Sequence, residues 1–444
     1  MKILISIGTL GLGGAEKQAV WLANRLSEIH DVTLLTFYGG PREVELSKSV
    51  TWKRIFEDLT RHVSEKDPKT SEGKNQQSSD HINSSTSKIR QFKRRLYLSA
   101  SNLPKSVKKI ASVLISLIRV THNSVLQLSN ACNFVFRASL RWITLKPLTT
   151  RFAYHFSTYK SVKALLNEAK PETVITFLFH DTLSIGICTL FMYPRPRLIV
   201  GRRSPIGYGG QDRSRMQNLV IRLVYYFADV AVTNSRANVS SAVEDGIRQS
   251  KMRVIHNFVN SNNTSLVSNP ANDIHLICIA NFFEYKNHEN LVRALSQIET
   301  EIRITFLGEG PLRSKIEFLA EDCNLNATFV DHNEQLEQSF WSVDYLVLPS
   351  VYEGSSNALL EALASGIPAI VTNVGLAEEL STMGAPVIVS RGTDVDSLRE
   401  AVSEGLLTKD ANKLKAVGFK KKIELEFNEE KILAEWLNTI NSIK

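Results

Sequence analysis

A strand-sized apolar run followed by a helix-spaced segment recurs along this chain in two series, and that recurrence limits the fold more than any other feature. "KILISIG" (2–8) is continuously apolar and ends in glycine, as a strand buried on both faces does. From about residue 14 to residue 29, Ala19, Val20, Leu22, Ala23 and Leu26 return at helical spacing. "DVTLLTF" from Asp31 reads as a second strand and "SVTWKRIF" near Val50 as a third. The alternation stops near residue 60 and resumes with strands at "ETVITFL" (172–178), "RLIVG" (197–201), "ADVAVTNS" (228–235) and "RVIHNF" (253–258). A polar linker at 260–273 precedes a fresh series. It holds "IHLICIA" (274–280), a helix from about Asn287, "IRITFLGEG" (302–310), a helix near Pro311, and strands in "ATFVD", "VDYLVLPS" and "PAIVTN". One amphipathic helix, at about 429–443, closes the chain.

Two βα series joined by a linker predict an α/β protein of two Rossmann-like, doubly wound domains. The length of 444 residues also exceeds what one core ordinarily supports. The expected boundaries are 1–259 for the first domain, with an insert at about 60–150, then 260–428 for the second, and a helix at 429–444 crossing back to the first. In such sheets ligands bind outside the C-terminal strand ends, so two facing domains make a cleft between those ends.

The net charge of +8 is unevenly spread. From His81 to Asn167 there is no Asp or Glu, while fifteen Lys and Arg fall there; taking those fifteen from +8 leaves the rest of the chain at −7. The four cysteines are scattered without a CxxC pair, which argues against a disulfide framework or a zinc site and fits a reducing compartment. The N-terminal apolar run is short and leads into "GLGGAEKQ", so it reads as a strand and not a signal peptide. No run of about 18 uncharged apolar residues predicts a transmembrane helix.

"YEGSSNALLEALASG" (352–366) places two carboxylates, Glu353 and Glu361, around a helix start. Ser355 or Ser356 can cap that helix, and Gly366 and Pro368 end it. Amides from Ser355 through Asn357 to Ala358 would hold an anion at the helix N-terminus. Glu353 just ahead of it and Glu361 one to two turns in would then suit hydroxyls, the layout of a nucleotide-sugar site. The plainer alternative is a carboxylate decorating the helix dipole and a second one solvated.

The E-x7-E spacing within "PSxxEG", "LLEALASGIP" and "VTNVG" resembles the retaining glycosyltransferases of family 4, which have the GT-B fold. The resemblance covers most of the chain outside 60–150 and is most specific in the second half. It implies that Glu353 meets the donor sugar's hydroxyls, that Glu361 binds ribose, and that Gly354, Ser355, Ser356 and Asn357 hold phosphate. "ANFFEYKNHENLV" (280–292) resembles the family's diphosphate grip, with Lys286 as its lysine. Asn281 stands where the family usually has arginine, and Arg202 or Arg203 in "VGRRSP" is a candidate replacement charge. "FLGEGP", with Gly308, resembles the loop near the base, and "VDH" (330–332) the next turn.

"GTLGLGGAEKQ" (8–18) would need a third glycine at Glu16 to make GxGxxG. "GGAE" resembles the family's N-terminal loop instead, with Gly13 and Gly14 approaching the donor phosphates or simply serving a turn. His180, after the strand in "TFLFHD", matches a histidine that touches the donor sugar in some members; a structural histidine is the alternative. "DVD" (394–396) reads as a helix cap and not as a metal-binding DxD. No metal and no cofactor are expected, the nucleotide-sugar being a substrate. The basic insert mixes lysine and arginine with leucine, valine and isoleucine. Contact with an anionic membrane surface through residues about 88–120 is the preferred reading, over helix packing or a partner, and over nucleic acid, for which no motif is present.

The resemblance therefore implies a retaining transferase of the hexosyl type moving a sugar from a nucleotide-diphospho-sugar, with UDP preferred, to a lipid-linked or membrane-associated glycan acceptor. Its setting would be bacterial polysaccharide synthesis, on the cytoplasmic face of the cell membrane. The alternatives are a GT-B epimerase or phosphorylase, or a membrane-bound scaffold with a degenerate donor site.

Overall fold

The structure is a computed structural model that describes residues 1–11, 13–38, 45–56, 146–203, 215–259, 274–331 and 343–443. Both expected linkers, nearly all of the basic insert with its expected membrane surface at 88–120, and the last residue of the 330–332 turn lie outside the described residues.

The first series builds a seven-stranded parallel sheet. Its strands are β1 (Lys2–Ile7), β2 (Asp31–Thr36), β3 (Thr51–Arg54), β4 (Thr173–Thr176), β5 (Arg197–Gly201), β6 (Val230–Thr233) and β7 (Met252–Val254). Their spatial order is β3-β2-β1-β4-β5-β6-β7. Strand β1 pairs with β2 on one side (Ile3 opposite Val32) and with β4 on the other (Ile3 opposite Thr173). The order reverses direction between β1 and β4, which is where a doubly wound sheet opens a binding crevice.

The second series builds a six-stranded parallel sheet from β8 (Ile274–Ile279), β9 (Ile302–Leu307), β10 (Asn326–Val330), β11 (Tyr345–Leu348), β12 (Ala369–Thr372) and β13 (Val387–Ser390). Its order, β10-β9-β8-β11-β12-β13, reverses between β8 and β11. Central strands such as β4, β6, β11 and β12 are buried at every position, so their sequences are apolar runs without alternation.

Helices cover both faces. In the first half these are α1 (Gly14–Leu26), α2 (Lys146–Ala169), α3 (Phe179–Thr189), α4 (Arg215–Phe227) and α5 (Ala237–Glu244). In the second they are α6 (His288–Leu295), α7 (Arg313–Asp322), α8 (Asn357–Ala364), α9 (Ala377–Thr382), α10 (Val395–Leu407) and α11 (Lys409–Glu426). Helix α12 (Glu429–Ser442) returns to the first sheet. Its Ile432, Trp436 and Ile440 share a core with Ile3, Ile5, Trp21 and Phe177. Trp436 stacks on Phe177, ring centroids 5.9 Å apart. Both sheets belong to one compact unit formed by Met1–Thr60 and Thr158–Lys444. Among the described residues, no helix is long and apolar enough to cross a membrane.

The second series runs further than the sequence reading took it. Strand β13 and helices α9 and α11 extend it beyond "PAIVTN". A four-residue strand and a six-residue helix are too short to display a period. Helix α7 begins two residues after Pro311, because Pro311 and Leu312 form a turn that delivers the chain to it.

Candidate active site at the two switch points

The sequence-predicted residues gather at the two reversals of strand order. In the second half, β8 ends into Asn281, and Lys286 closes a short 3-10 turn over Glu284–Lys286. From the neighbouring β11, Ser350 leads into Glu353 and Gly354 and then α8. Lys286 Nζ donates to Glu353 Oε1, and Ser350 Oγ donates to the same oxygen at 2.9 Å. These side chains are only 16% and 12% exposed, so solvent screens the ion pair weakly.

Helix α8 starts as its sequence specifies. Ser356 is the N-cap, its Oγ accepting from the Leu359 amide at 3.3 Å. Ser355 Oγ is buried and has no hydrogen-bond partner, an arrangement that costs about 1–3 kcal/mol unless a ligand atom completes it. Glu361 lies on the exposed side of α8. Protein crowded around its carboxyl raises its pKa, and Lys17 on α1 pulls the other way. Leu359, Leu360, Ala362 and Leu363 are buried on the opposite side.

In the first half, β1 ends into the glycine loop and β4 into His180 and Asp181. Gly13 is the N-cap of α1. Gly14 abuts Asn357: a Cβ there would lie 3.0 Å from Asn357 Nδ2. The glycine loop and the α8 N-terminus, more than 340 residues apart in the chain, thus meet. His180 is exposed in the first turn of α3, its ring edge-on to Phe179. Asp181 is fully buried and accepts from the Phe177 amide at 2.9 Å and the Leu178 amide at 3.0 Å. Burial pushes its carboxyl up to about 7, against the pull of those amides and with a further push from Glu16. Glu16 is itself raised, chiefly by burial.

Arg202 is corrected as a candidate donor charge. It is 1% exposed and bonded to Asp245, the C-cap of α5, with Nε to Oδ2 at 3.0 Å. Arg203 is the other candidate. Its guanidinium stacks over Phe177 at 4.6 Å and donates to Asn257 Oδ1 at 2.8 Å. Desolvation lowers its pKa to about 10, with Glu16 and Asp181 opposing, so it remains a cation at neutral pH.

Gly354 and Gly308 have a geometric reason for being glycine. A Cβ on Gly354 would lie 2.2 Å from the Arg203 carbonyl oxygen. That same oxygen accepts from Tyr352 Oη at 2.7 Å, and the Gly354 carbonyl accepts from Asn238 Nδ2 at 2.9 Å. Gly308 has φ +156°, and a Cβ there would meet the Ala280 carbonyl oxygen at 2.3 Å, so the loop after β9 lies flat against the one after β8. Asn281 Oδ1 accepts from the Glu309 amide at 3.3 Å in the same contact.

Sequence reasoning missed the residues that join the halves: Asn238, Asn257, Tyr352 and Glu379. Glu379 on α9 takes His256 Nε2 at 3.0 Å and also the Arg236 amide. Asp394 caps α10 through Ser397 N at 2.9 Å, as read from "DVD". Among the described residues, no group of three or more His, Cys, Asp or Glu is arranged to hold a metal ion.

This architecture and site define the class as GT-B. The solved structure of sucrose-phosphate synthase from Thermosynechococcus elongatus has the same fold at TM-score 0.69 and 15% identity, covering 99% of this chain and 98% of that one. Anabaena HepE in complex with UDP and glucose matches at TM-score 0.67 and 15% identity over 100% of both chains. More particularly, residues 265–421 match the family described as Glycosyl transferases group 1. A curated relative is the N-acetylgalactosamine-N,N'-diacetylbacillosaminyl-diphospho-undecaprenol 4-alpha-N-acetylgalactosaminyltransferase of Campylobacter jejuni. It is 26% identical over 168 residues, 36% of this chain and 46% of that protein. The chain thus spans less than half the length of that relative.

Proposed function

We propose that this protein is a glycosyltransferase of polysaccharide or glycan synthesis that uses a nucleotide-diphospho-sugar, with retention of configuration. The observation that carries the reading is the convergence on one α8 N-terminus of Lys286, Glu353, the unpaired Ser355 hydroxyl and, from the other half, Gly14. The α8 amides and Lys286 would neutralise the leaving diphosphate, which is electrostatic stabilisation by groups fixed in advance. Glu353 would orient the sugar through its hydroxyls and Glu361 the ribose. The bond from the anomeric carbon to the diphosphate breaks, a bond to the acceptor oxygen forms, and the acceptor proton passes to the leaving phosphate. Gly13, Gly308, Gly354, Ser356 and Asn357 are assigned to the donor side. His180, in the first turn of α3, is assigned to the sugar's edge.

UDP is the preferred nucleotide, as bound in the HepE structure. A lipid-linked acceptor follows the diphospho-undecaprenol of the Campylobacter relative's name. Contact with an anionic membrane on its cytoplasmic side through residues 88–120 belongs to the same reading, as do the absence of a metal or other cofactor and of a nucleic-acid partner.

A second reading, a scaffold with a degenerate donor site, draws on Asn281, whose side-chain oxygen is engaged by Glu309. One thermal-shift screen separates them, with UDP, GDP, ADP and CMP tested on the native chain and on Lys286→Ala and Glu361→Ala. A ligand that binds only the folded state raises the midpoint by mass action. A rise with one nucleotide, lost in both variants, is the outcome expected for a transferase. No rise with any of them in a folded protein would discard it.

A further inference from the structure

Helix α11 buries one side and leaves an unusual surface on the other. Ala416, Phe419 and Ile423 face inward, and Phe419 and Ile423 join the core that holds Leu359, Leu360 and Leu363 of α8. Outward lie Leu414, Val417 and Leu425, which are 77%, 53% and 61% exposed. Ala411 and Gly418 are exposed beside them. Residues 411, 414, 418, 421 and 425 follow the three-four spacing of a single helix face, a stripe about 20 Å long. Leu407, 88% exposed, ends α10 two residues before Lys409 opens α11. A solvent-facing helix would carry polar residues along such a stripe.

The charges bordering it have one sign. Lys415, Lys421 and Lys422 are exposed, with Lys413 and Lys420 half-buried at the margins. Of the helix's three carboxylates only Asp410 is exposed. Glu424 and Glu426 are half-buried, and Glu426 is bonded to Lys431.

We infer that the outer face of α11 docks on an anionic lipid surface, its leucines entering the interface and its lysines reaching the headgroups. The lysine stems can lie along the apolar stripe with their ammonium groups at phosphate level. Charge decides between this occupant and a second copy of the chain. Two such faces set together would oppose lysine to lysine, whereas an anionic bilayer supplies the missing negative charge. Because α11 packs on α8, docking would fix how the α8 N-terminus is presented to the lipid plane. This surface is separate from the one expected at 88–120, and it does not rest on the sugar-transfer reading.

The test is vesicle flotation of the full chain, with phosphatidylcholine alone and with about one third phosphatidylglycerol. The native protein is expected to float with the anionic vesicles only. The pairs Leu414→Ser with Leu425→Ser, and Lys415→Gln with Lys421→Gln, should each lower that partition by roughly tenfold or more. All four side chains are surface-exposed, so the variants should melt like the native chain. Lys286→Ala should float as the native protein does, which keeps failure of the donor site distinct from failure of the lipid face. Flotation by both pairs at native levels, no flotation of the native chain, or a native dimer dispersed by the leucine pair would each overturn the assignment.

Discussion

Asn257 donates its side-chain amide to Asn357 Oδ1 at 2.7 Å and accepts from Arg203 Nη1 at 2.8 Å, so one buried amide joins the first half to the start of α8. Asn257 is 2% exposed. Asn257→Ala should remove both bonds and leave the Arg203 guanidinium short of a partner. A loss of about 2 kcal/mol is expected, read as a lower denaturant midpoint. Nucleotide affinity should fall too, because Asn357 is part of the joint and is proposed to hold the donor. An unchanged midpoint would mean that the halves are held elsewhere, with Glu379 and His256 the first place to look.

The Lys286–Glu353 pair makes a separate prediction. Removing one member of a poorly solvated pair leaves the other charge uncompensated, at a cost of about 3 kcal/mol, while removing both costs less than the sum. Lys286→Met and Glu353→Gln should therefore couple in a double-mutant cycle of urea melts. Under the proposed mechanism, in which both groups face the reacting bond, each single change should also lower sugar transfer by a factor on the order of 10² or more. Additive stabilities with full transfer would remove both residues from the proposed chemistry.

The buried Asp181 fixes a pH dependence. Burial lifts its folded pKa to about 7, above the ordinary aspartate value of 3.8. Between those values the folded state holds a proton that the unfolded state has lost, so this group makes stability fall as pH rises, and its contribution levels off above about 7. His288 acts oppositely. Burial lowers its pKa to about 4, so its contribution makes stability rise with pH between about 4 and 6.5. Asp181→Asn keeps an acceptor for the Phe177 and Leu178 amides but removes the falling component. Relative to the native chain, the variant should gain roughly 2 kcal/mol of stability at about pH 8 compared with about pH 5. Urea midpoints at the two pH values measure this, and equal pH responses in both proteins would show that Asp181 titrates normally.

Most of what places the site was legible because it follows long apolar strands. "KILISIG", "ETVITFL", "IHLICIA" and "VDYLVLPS" each end in the loop that carries a candidate residue, and strand order brings those loops together in two pairs. The start of α8 was legible from Ser356 and the stop from Gly366. The contacts between the halves were not, because Asn238, Asn257 and Glu379 are single polar residues whose partners lie more than 95 positions away, and no periodicity marks them. Glu16 was noticed only as a glycine that was missing. Its neighbours Arg203 and Asp181 reach it through the fold and not through the chain. The exposure of the outer face of α11 was not legible either, because its leucines repeat at the spacing that normally signals burial.

Two glycines give opposite predictions from the same substitution. A Cβ on Gly354 would lie 2.2 Å from the backbone oxygen of Arg203, while one on Gly418 meets nothing within 4 Å. Gly354→Ala cannot be absorbed by a rotamer change, because the obstacle is main chain. The loop must withdraw, taking with it the bonds from Asn238 to the Gly354 carbonyl and from Tyr352 to the Arg203 carbonyl. A loss of about 2–3 kcal/mol and a marked fall in nucleotide affinity are expected, since the same loop carries Glu353. Gly418→Ala, inside α11 on its open face, should instead stabilise by about 0.5–1 kcal/mol through helix propensity alone. Thermal melts of the two single variants with and without UDP test both halves of the claim. If Gly354→Ala melted like the native chain and still responded to UDP, the close approach of the two halves at Arg203 would not be part of the folded protein in solution.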